Sequence, residues 1–468
     1  MRTVKWNPFL LGVCTFLGGM LLWAGAARAD ISSTNAAAIV VFPKLLVDTS
    51  ARLIDTTPST SKATDFVNGR AAVDTLIELT NVANHPVNVR CFYVNANGHC
   101  SNNPSLICNP NGSLEEAAFS CQTQFPVCIA GWQETDFTFS LTSNQPLVWT
   151  LSDGLPVLPL NDKPGPKGEF NTGSIPPAPE IPMIGELKCI EVGDSEQPID
   201  SNDLKGEATI EEVAVEREAA PSTNQPLPYV QVDSRGYNAI GIQAIPGANN
   251  GDNVLVIGPT PPHESAGLPA EYNGCPMYLV LDHFFDDAED PATHQNIFTD
   301  VTFVPCSEDF NFQTSITNTV QFLVYNEFEQ RFSTSRSVKC LTELTLSDID
   351  TRPGPQDDYA SIFNVNVEGT LTGQTWIRSV ASSDPATTPG HGLLAVAEEF
   401  HGYGAPWSNS ISLNTHSAAF VPLQGGLYRM QSDIVLLPGA VTCSGDSDCP
   451  QPPEGSPPLH CRSGACLP

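Results

Sequence analysis

Apolar and polar residues alternate with a period of two through much of the chain. Thr75, Ile77 and Leu79 share one parity and Asp74, Glu78 and Thr80 the other; after Asn81 to Pro86 the apolar parity resumes at Val87, Val89, Cys91 and Tyr93. Successive side chains of an extended chain point to opposite faces, so this pattern predicts two strands joined as a hairpin with one buried side. Phe137, Phe139 and Leu141 predict another strand, followed by one through Leu147, Trp149 and Leu151. Helical spacing is scarce. Its best stretch runs from Ile210 to Ala220 and meets Pro221, which cannot continue a helix. Short apolar runs separated by Pro and Gly predict an all-β chain.

The second half replays features of the first in the same order. Val320, Phe322 and Val324 lead to Asn326 as Thr75, Ile77 and Leu79 lead to Asn81, and the following strands end at Cys340 and Cys91. Phe137 precedes Trp149 as Phe363 precedes Trp376; Gly185 to Glu191 has a counterpart in Gly392 to Glu398, and Thr299 to Pro305 in Ser432 to Pro438. This order predicts a duplication: two tandem antiparallel β-sandwiches of broadly immunoglobulin-like type. Residues 30–307 would form the first, with loop insertions, and residues 308–440 a leaner second, before a cysteine-rich tail at 441–468. Pro156 to Pro182, rich in Pro, Gly and Asn, reads as an extended loop.

Residues 1–29 read as a signal peptide. Arg2 and Lys5 precede an apolar stretch from Phe9 to Ala27, and Ala27-Arg28-Ala29 is an A-x-A cleavage signal. Cys14 follows a bulky Val13 and reads as part of the apolar core of that signal rather than as a lipid anchor. The formal charge of −31 loses three cations (Arg2, Lys5 and Arg28) with the signal and becomes −34. Such a surface disfavours nucleic acid and anionic membranes. A secreted or cell-surface location follows, with no membrane insertion after cleavage and an unknown protein or glycan at the cell surface as the partner.

Outside the reducing cytoplasm, disulfide is the default state of cysteine. Thirteen cysteines remain after Cys14 is removed, so one is left over. Cys443, Cys449, Cys461 and Cys466 lie in a tail with too few apolar residues for a core, and two bridges are expected to hold it. Cys100, Cys108, Cys121 and Cys128 lie in one polar insertion and most simply form two local bridges, the last pair being near enough for a turn to join. Cys306 with Cys340 would clamp the two sandwiches, Cys189 would pair with Cys275, and Cys91 would remain as a buried thiol.

The tail, Cys443-Ser444-Gly445-Asp446-Ser447-Asp448-Cys449-Pro450 through Cys461-Arg462-Ser463-Gly464-Ala465-Cys466, resembles the small Asp-Cys-Pro modules of secreted bacterial proteins and, at this level, Dickkopf-type four-cysteine repeats. Thr75 to Asn81, Pro86 to Tyr93 and Gly185 to Val192 are similar to strands of exported bacterial β-sandwich proteins. These resemblances imply architecture and an extracellular setting, without an activity.

Catalytic signatures fail one by one: there is no G-x-S-x-G elbow, no phosphate-binding G-x-x-x-x-G-K-[ST] loop and no G-x-G-x-x-G fingerprint. His263-Glu264 begins like a zincin, but Gly267 stands where the second histidine is needed. No cofactor is called for, with Ca²⁺ as the one candidate. Asp282, Asp286, Asp287 and Asp290 crowd carboxylates into nine residues at a density that could hold it, although a solvated acidic loop would look the same. Asp200 to Gly206 begins like an EF-hand loop with its glycine one place late. Trp149 and Trp376 read as core, and Trp407, near Tyr403, as a loop aromatic. The function expected is non-enzymatic binding or structure; the alternative is a secreted hydrolase or carbohydrate-active protein with a carboxylate site on its loops. Mass spectrometry of the exported protein is expected to give Asp30 as the mature N-terminus; retained Met1, or a lipid on Cys14, would contradict the signal-peptide reading.

Overall fold

The alternating stretches become strands whose partners lie far away in the chain. A computed structural model describes residues 31–32, 34–49, 72–108, 128–129, 131–155, 175–215, 229–258, 270–350, 361–380, 392–402, 417–426, 433–451, 458–462 and 465–467. The signal segment therefore lies outside the described residues. The first strands are β1 (Ile31–Ser32), β2 (Ile39–Val47), β3 (Ala72–Asn81), β4 (Val87–Asn95), β5 (His99–Cys100), β6 (Asn103–Ile107) and β7 (Cys128–Ile129). Next come β8 (Gln133–Leu141), β9 (Pro146–Thr150), β10 (Met183–Val192), β11 (Leu204–Val215), β12 (Tyr229–Asn238), β13 (Ile240–Ile242) and β14 (Val254–Ile257). The second half holds β15 (Tyr278–Phe284), β16 (Ala288–Glu289), β17 (Asn296–Pro305), β18 (Thr317–Asn326), β19 (Arg331–Lys339) and β20 (Thr342–Thr345). β21 (Thr372–Val380), β22 (Leu393–Gly402), β23 (Ser417–Val421), β24 (Gln424–Gly426), β25 (Asp433–Leu436), β26 (His460–Arg462) and β27 (Ala465–Leu467) complete the set. The fold is nearly all β; the helical turns among the described residues are Leu346–Ile349, Val365–Glu368 and a 3₁₀ turn at Asp446–Asp448.

Two sandwiches result. In the first, the sheet β1-β13-β2-β10-β4-β8 faces the sheet β12-β11-β3-β9 across a core that includes Phe42, Leu79, Tyr93, Phe139 and Trp149. In the second, β19-β18-β21-β15-β24 faces β16-β17-β22-β23, with β20 on β17, around Phe285, Phe303, Phe322 and Phe363. A third apolar cluster joins them, in which Ile39, Val41, Phe92 and Ile184 meet Val304, Phe310, Leu341 and Leu394. The sandwiches are thus stacked mainly through one sheet of each, with β12 of the other sheet reaching β22 and β23, and β10 is buried at every position. The β14–β25 ribbon adds Leu255, Ile257 and Val435 to this seam.

Several sequence expectations change. The predicted hairpin is absent: β3 pairs with β9 and β11, whereas β4 pairs with β8 and β10. Asn81 to Pro86 instead carries the chain from one sheet to the other, so the two apolar parities meet across the core rather than side by side. Asn81 secures this crossing by donating to His85 O and Thr142 O and accepting from the Ala83 N–H. The helix expected from Ile210 is the second half of β11, whose Ala208 and Ile210 are buried and whose backbone bonds to both β3 and β12. Ladders on both sides outweigh weak helical spacing. Gly206, on the same strand, lies where a Cβ would meet the Phe42 ring at 2.4 Å.

The second sandwich begins before residue 308, because β15 and β17 pair with β21 and β22. No compositional break marks this earlier start. The replayed segments also take different places: β17 is central in a sheet, whereas β25 lies in the two-stranded ribbon.

The disulfides redraw the expected pairing. Cys91 is not the leftover thiol; it bridges Cys189, directly opposite it on the neighbouring strand, with α-carbons 4.1 Å apart. Cys275 bridges Cys306, and Cys340 is the buried free cysteine, so the predicted Cys306–Cys340 and Cys189–Cys275 pairs do not form. In the insertion Cys108 bridges Cys128, which excludes the local Cys121–Cys128 pair, and Cys100 is also disulfide-bonded. These errors share one cause: the strand beside each cysteine is set by long-range sheet order. The tail holds its two bridges internally, Cys443–Cys461 and Cys449–Cys466, and packs Ala465 against Val254 and Val256 of the ribbon. Peptide mapping of the denatured, unreduced protein is expected to recover Cys91–Cys189 and Cys275–Cys306, with Cys340 as an alkylated thiol. Replacing both Cys91 and Cys189 by Ala should cost about 2–5 kcal/mol in denaturant titrations; a recovered Cys306–Cys340 link would contradict this arrangement.

Candidate ligand-binding face

The stack leaves the β19-β18-β21-β15-β24 sheet with its outer face uncovered by the first sandwich. On β18, Val320, Phe322 and Val324 enter the core while Gln321, Leu323 and Tyr325 point outward. On β21 the buried parity is Thr375, Ile377 and Ser379, so Gln374, Trp376 and Arg378 point outward. Trp376 is therefore not core: 43% of its surface is exposed. Register places Trp376 between Val280 of β15 and Leu323 of β18, and Gln374 between Asp282 and Tyr325.

A short relay orients the indole. Trp376 Nε1–H donates to Gln374 Oε1 at 2.7 Å, and Gln374 Nε2–H donates to Asp282 Oδ1 at 2.8 Å. The ring lies nearly parallel to Tyr278, with centroids 6.3 Å apart and planes at 15°. Its one polar group is thus satisfied along the sheet, as an aromatic with a polar handle requires.

Beside this platform an open cavity of about 550 Å³ is lined by residues including Asp282, Tyr325, Glu327, Thr372, Gln374 and Glu399. Gly373 sits where a Cβ would come within 2.5 Å of Phe285, so no larger residue fits there. Phe328 and Leu371, next in sequence to Glu327 and Thr372, add exposed apolar surface, and 69% of Phe328 is exposed. The Glu327 carboxylate accepts from the Thr372 hydroxyl at 2.7 Å and its N–H at 3.0 Å, which holds it below the usual carboxylate range. His283 is buried, which pushes its pKa down to about 4; the neutral ring donates from Nδ1 to Phe284 O and accepts from Thr375 Oγ1. Neither group is poised near neutral pH as a general acid or base.

The four candidate Ca²⁺ ligands are not brought together. Asp282 belongs to the platform relay. Asp286 is buried and accepts from the N–H groups of Thr299 and Ser347, and burial pushes its pKa up to about 7. Asp287 accepts from Asn364, and Asp290 caps its own turn through Ala292 N–H and Thr293 and meets His401 at 3.2 Å. Dense in sequence, these carboxylates serve different donors. Among the described residues, three ligand atoms lie within 4.8 Å of one another at two cysteine clusters, Cys443–Cys449–Cys466 and Cys275–Cys306–Asp433, whose cysteines are in disulfides. The EF-hand-like stretch is also structural: Asn202 Oδ1 accepts from the Ala38 and Ala244 N–H groups, and Gly206 lies inside β11. Trp149 is core, donating to Tyr93 Oη at 2.7 Å. Tyr403 and Trp407 lie outside the described residues.

Sequence reasoning missed Trp376, Gln374 and Glu327. The signal was present in the parity of Gln374-Thr375-Trp376-Ile377-Arg378, which puts the tryptophan with Gln and Arg rather than with Ile. No protein-family profile matches the chain, and no curated protein matches it at a significant level. Because Trp376 is half outside the core, Trp376→Ala is expected to cost less than about 1 kcal/mol of stability, whereas Phe322→Ala, fully buried, should cost about 3–5 kcal/mol. Equal losses in urea titrations would return Trp376 to a packing role.

Proposed function

We propose that the protein is an exported binding protein without a catalytic role, and that it holds a glycan on the outer face of the second sandwich. The observation that carries this reading is the exposed Trp376, fixed in orientation by Gln374 and Asp282 and bordered by Tyr278. An indole offers an apolar face to the C–H side of a sugar ring, while amide, carboxylate and hydroxyl groups beside it suit the sugar hydroxyls. The flat sheet surface, the open cavity and the absence of a poised acid–base pair among Glu327 and His283 favour holding over hydrolysis.

Export is supported by the signal-like N-terminus and by disulfides spread over both sandwiches and the tail. No helix among the described residues is long and apolar enough to cross a membrane. The test is binding of the mature chain to a panel of neutral and acidic oligosaccharides, with reducing-end release measured in parallel. One glycan class should bind, Trp376→Ala should weaken it by about tenfold or more (about 1.4 kcal/mol), and no sugar should be released. Sugar release abolished by Glu327→Gln or Glu399→Gln would establish the hydrolase alternative. Binding unaffected by Trp376→Ala, or no glycan binding at all, would remove this face as the site.

A further inference from the structure

The seam between the sandwiches is mainly apolar, yet it encloses two groups of charges. In one, Lys44 Nζ of β2 lies 2.5 Å from both Glu343 of β20 and Glu398 of β22, and Arg235 of β12 pairs with Glu398. In the other, Lys188 Nζ of β10 lies 3.3 Å from Glu186 and 2.5 Å from Glu308, under the Phe310 ring. Asp300 of β17 faces Lys44 and Glu343 from within the seam, with Asp286 and Asp348 beside it. Asp300 is half-buried, but its Oδ1 is shut off from solvent and has no hydrogen-bond partner among the described residues.

Three cations (Lys44, Lys188 and Arg235) therefore serve five carboxyls: Glu186, Glu308, Glu343, Glu398 and Asp300. Lys44 and Arg235 balance Glu343 and Glu398, and Lys188 balances one member of the Glu186–Glu308 pair. Among the cations of the described residues in the seam, none is left for Asp300 and the other member. A buried charge without a partner is far costlier than a neutral acid, so these two positions hold protons in the closed seam.

We propose that the seam is a proton-dependent clamp, closed while two of its five carboxyls are protonated and loosened when both ionise. The directions of titration agree with this count. Burial, and then Glu343, push Asp300 up to about 8, and burial, and then Glu186, hold Glu308 well above the usual carboxylate range. Lys188 stays charged: burial lowers its pKa, but Glu186 and Glu308 more than offset this. An unfolded chain would lose both carboxyl protons near about pH 4. The protons therefore stabilise the closed seam most on the acid side; the contribution of Asp300 falls as pH rises and is gone above about pH 8, and that of Glu308 falls in the same direction. Asp286, raised to about 7 by burial, adds to the same trend, whereas Tyr237, whose pKa burial raises, stays neutral and continues to donate to Lys44 O.

Cys340 is a built-in reporter. It is free, belongs to the seam cluster and is influenced by Glu308, Glu186 and Lys188. Its alkylation in the intact protein can be compared, at each pH, with the same thiol in the denatured chain, which removes the ordinary rise in thiolate with pH. Protection of Cys340 is expected to fall by about tenfold or more between about pH 6 and pH 9 while the far-ultraviolet strand signal stays constant. Ionised Glu308 would by itself suppress a nearby thiolate, so a rise in labelling reports opening. The Asp300→Asn/Glu308→Gln variant should lose most of this pH dependence and keep only the part that Asp286 supplies. Protection that stays constant with pH in the unaltered protein, or that disappears only together with the strand signal, would overturn the proposal even if the variant failed to fold.

Discussion

The architecture depends on one constraint: the sheet containing β2, β10 and β4 is covered on both faces. Its inner face forms the first core with Phe42, Leu187 and Tyr93, and its outer face forms the seam with Ile39, Ile184 and Phe92. Backbone groups in those central strands have little access to water, so the ladders on either side must satisfy them, and β10 is paired with β4 from Gly185 to Val192. Side chains face the same restriction. Lys44 remains there because Glu343 and Glu398 reach it from other strands, and Glu186 and Lys188 because they pair with each other and Lys188 with Glu308, since stripping water from an ion costs on the order of several kcal/mol. Apolar contact closes this junction, and the charge pattern decides which surfaces can meet in it.

The same double coverage explains how far the sequence could be read. Period-two alternation found the strands because each buries at least one face, and it assigned Ile77, Leu79, Val89 and Phe139 to the core correctly. In Met183 to Val192 the alternation Ile184-Gly185-Glu186-Leu187-Lys188 reads as a sheet half in water. Glu186 and Lys188 are nonetheless buried, because a second sandwich covers them. Periodicity reports what a strand presents, never what comes to lie on it.

Strand partners were less legible for a related reason. Neighbours in sequence crossed between sheets, as β3 and β4 do, while Cys91 and Cys189 became neighbours through sheet order. The binding face was readable in part: the parity of Trp376 placed it outside, and an apparent correspondence with Trp149 argued it inside. The local chemical pattern was the better guide. For the acidic stretch from Asp282 to Asp290 the reverse held, because density along the chain says nothing about whether carboxylates converge.

Stacking the sandwiches mainly through one sheet each leaves two sheet faces turned outward, and among the described residues the exposed tryptophan, Trp376, lies on one of them. The β14–β25 ribbon gives this assembly an order in time. Synthesis runs from the N-terminus, so β14 emerges before the whole second sandwich, yet its partner strand among the described residues, β25, comes after it. Glu271 and Tyr272 bond to one edge of β14, but until β25 is available its other edge is unpaired beside an apolar seam, the kind of exposed template that recruits other chains. The ribbon is in this sense a late-closing latch: a chain cut short before Asp433 could retain both cores and still be prone to associate with its own copies.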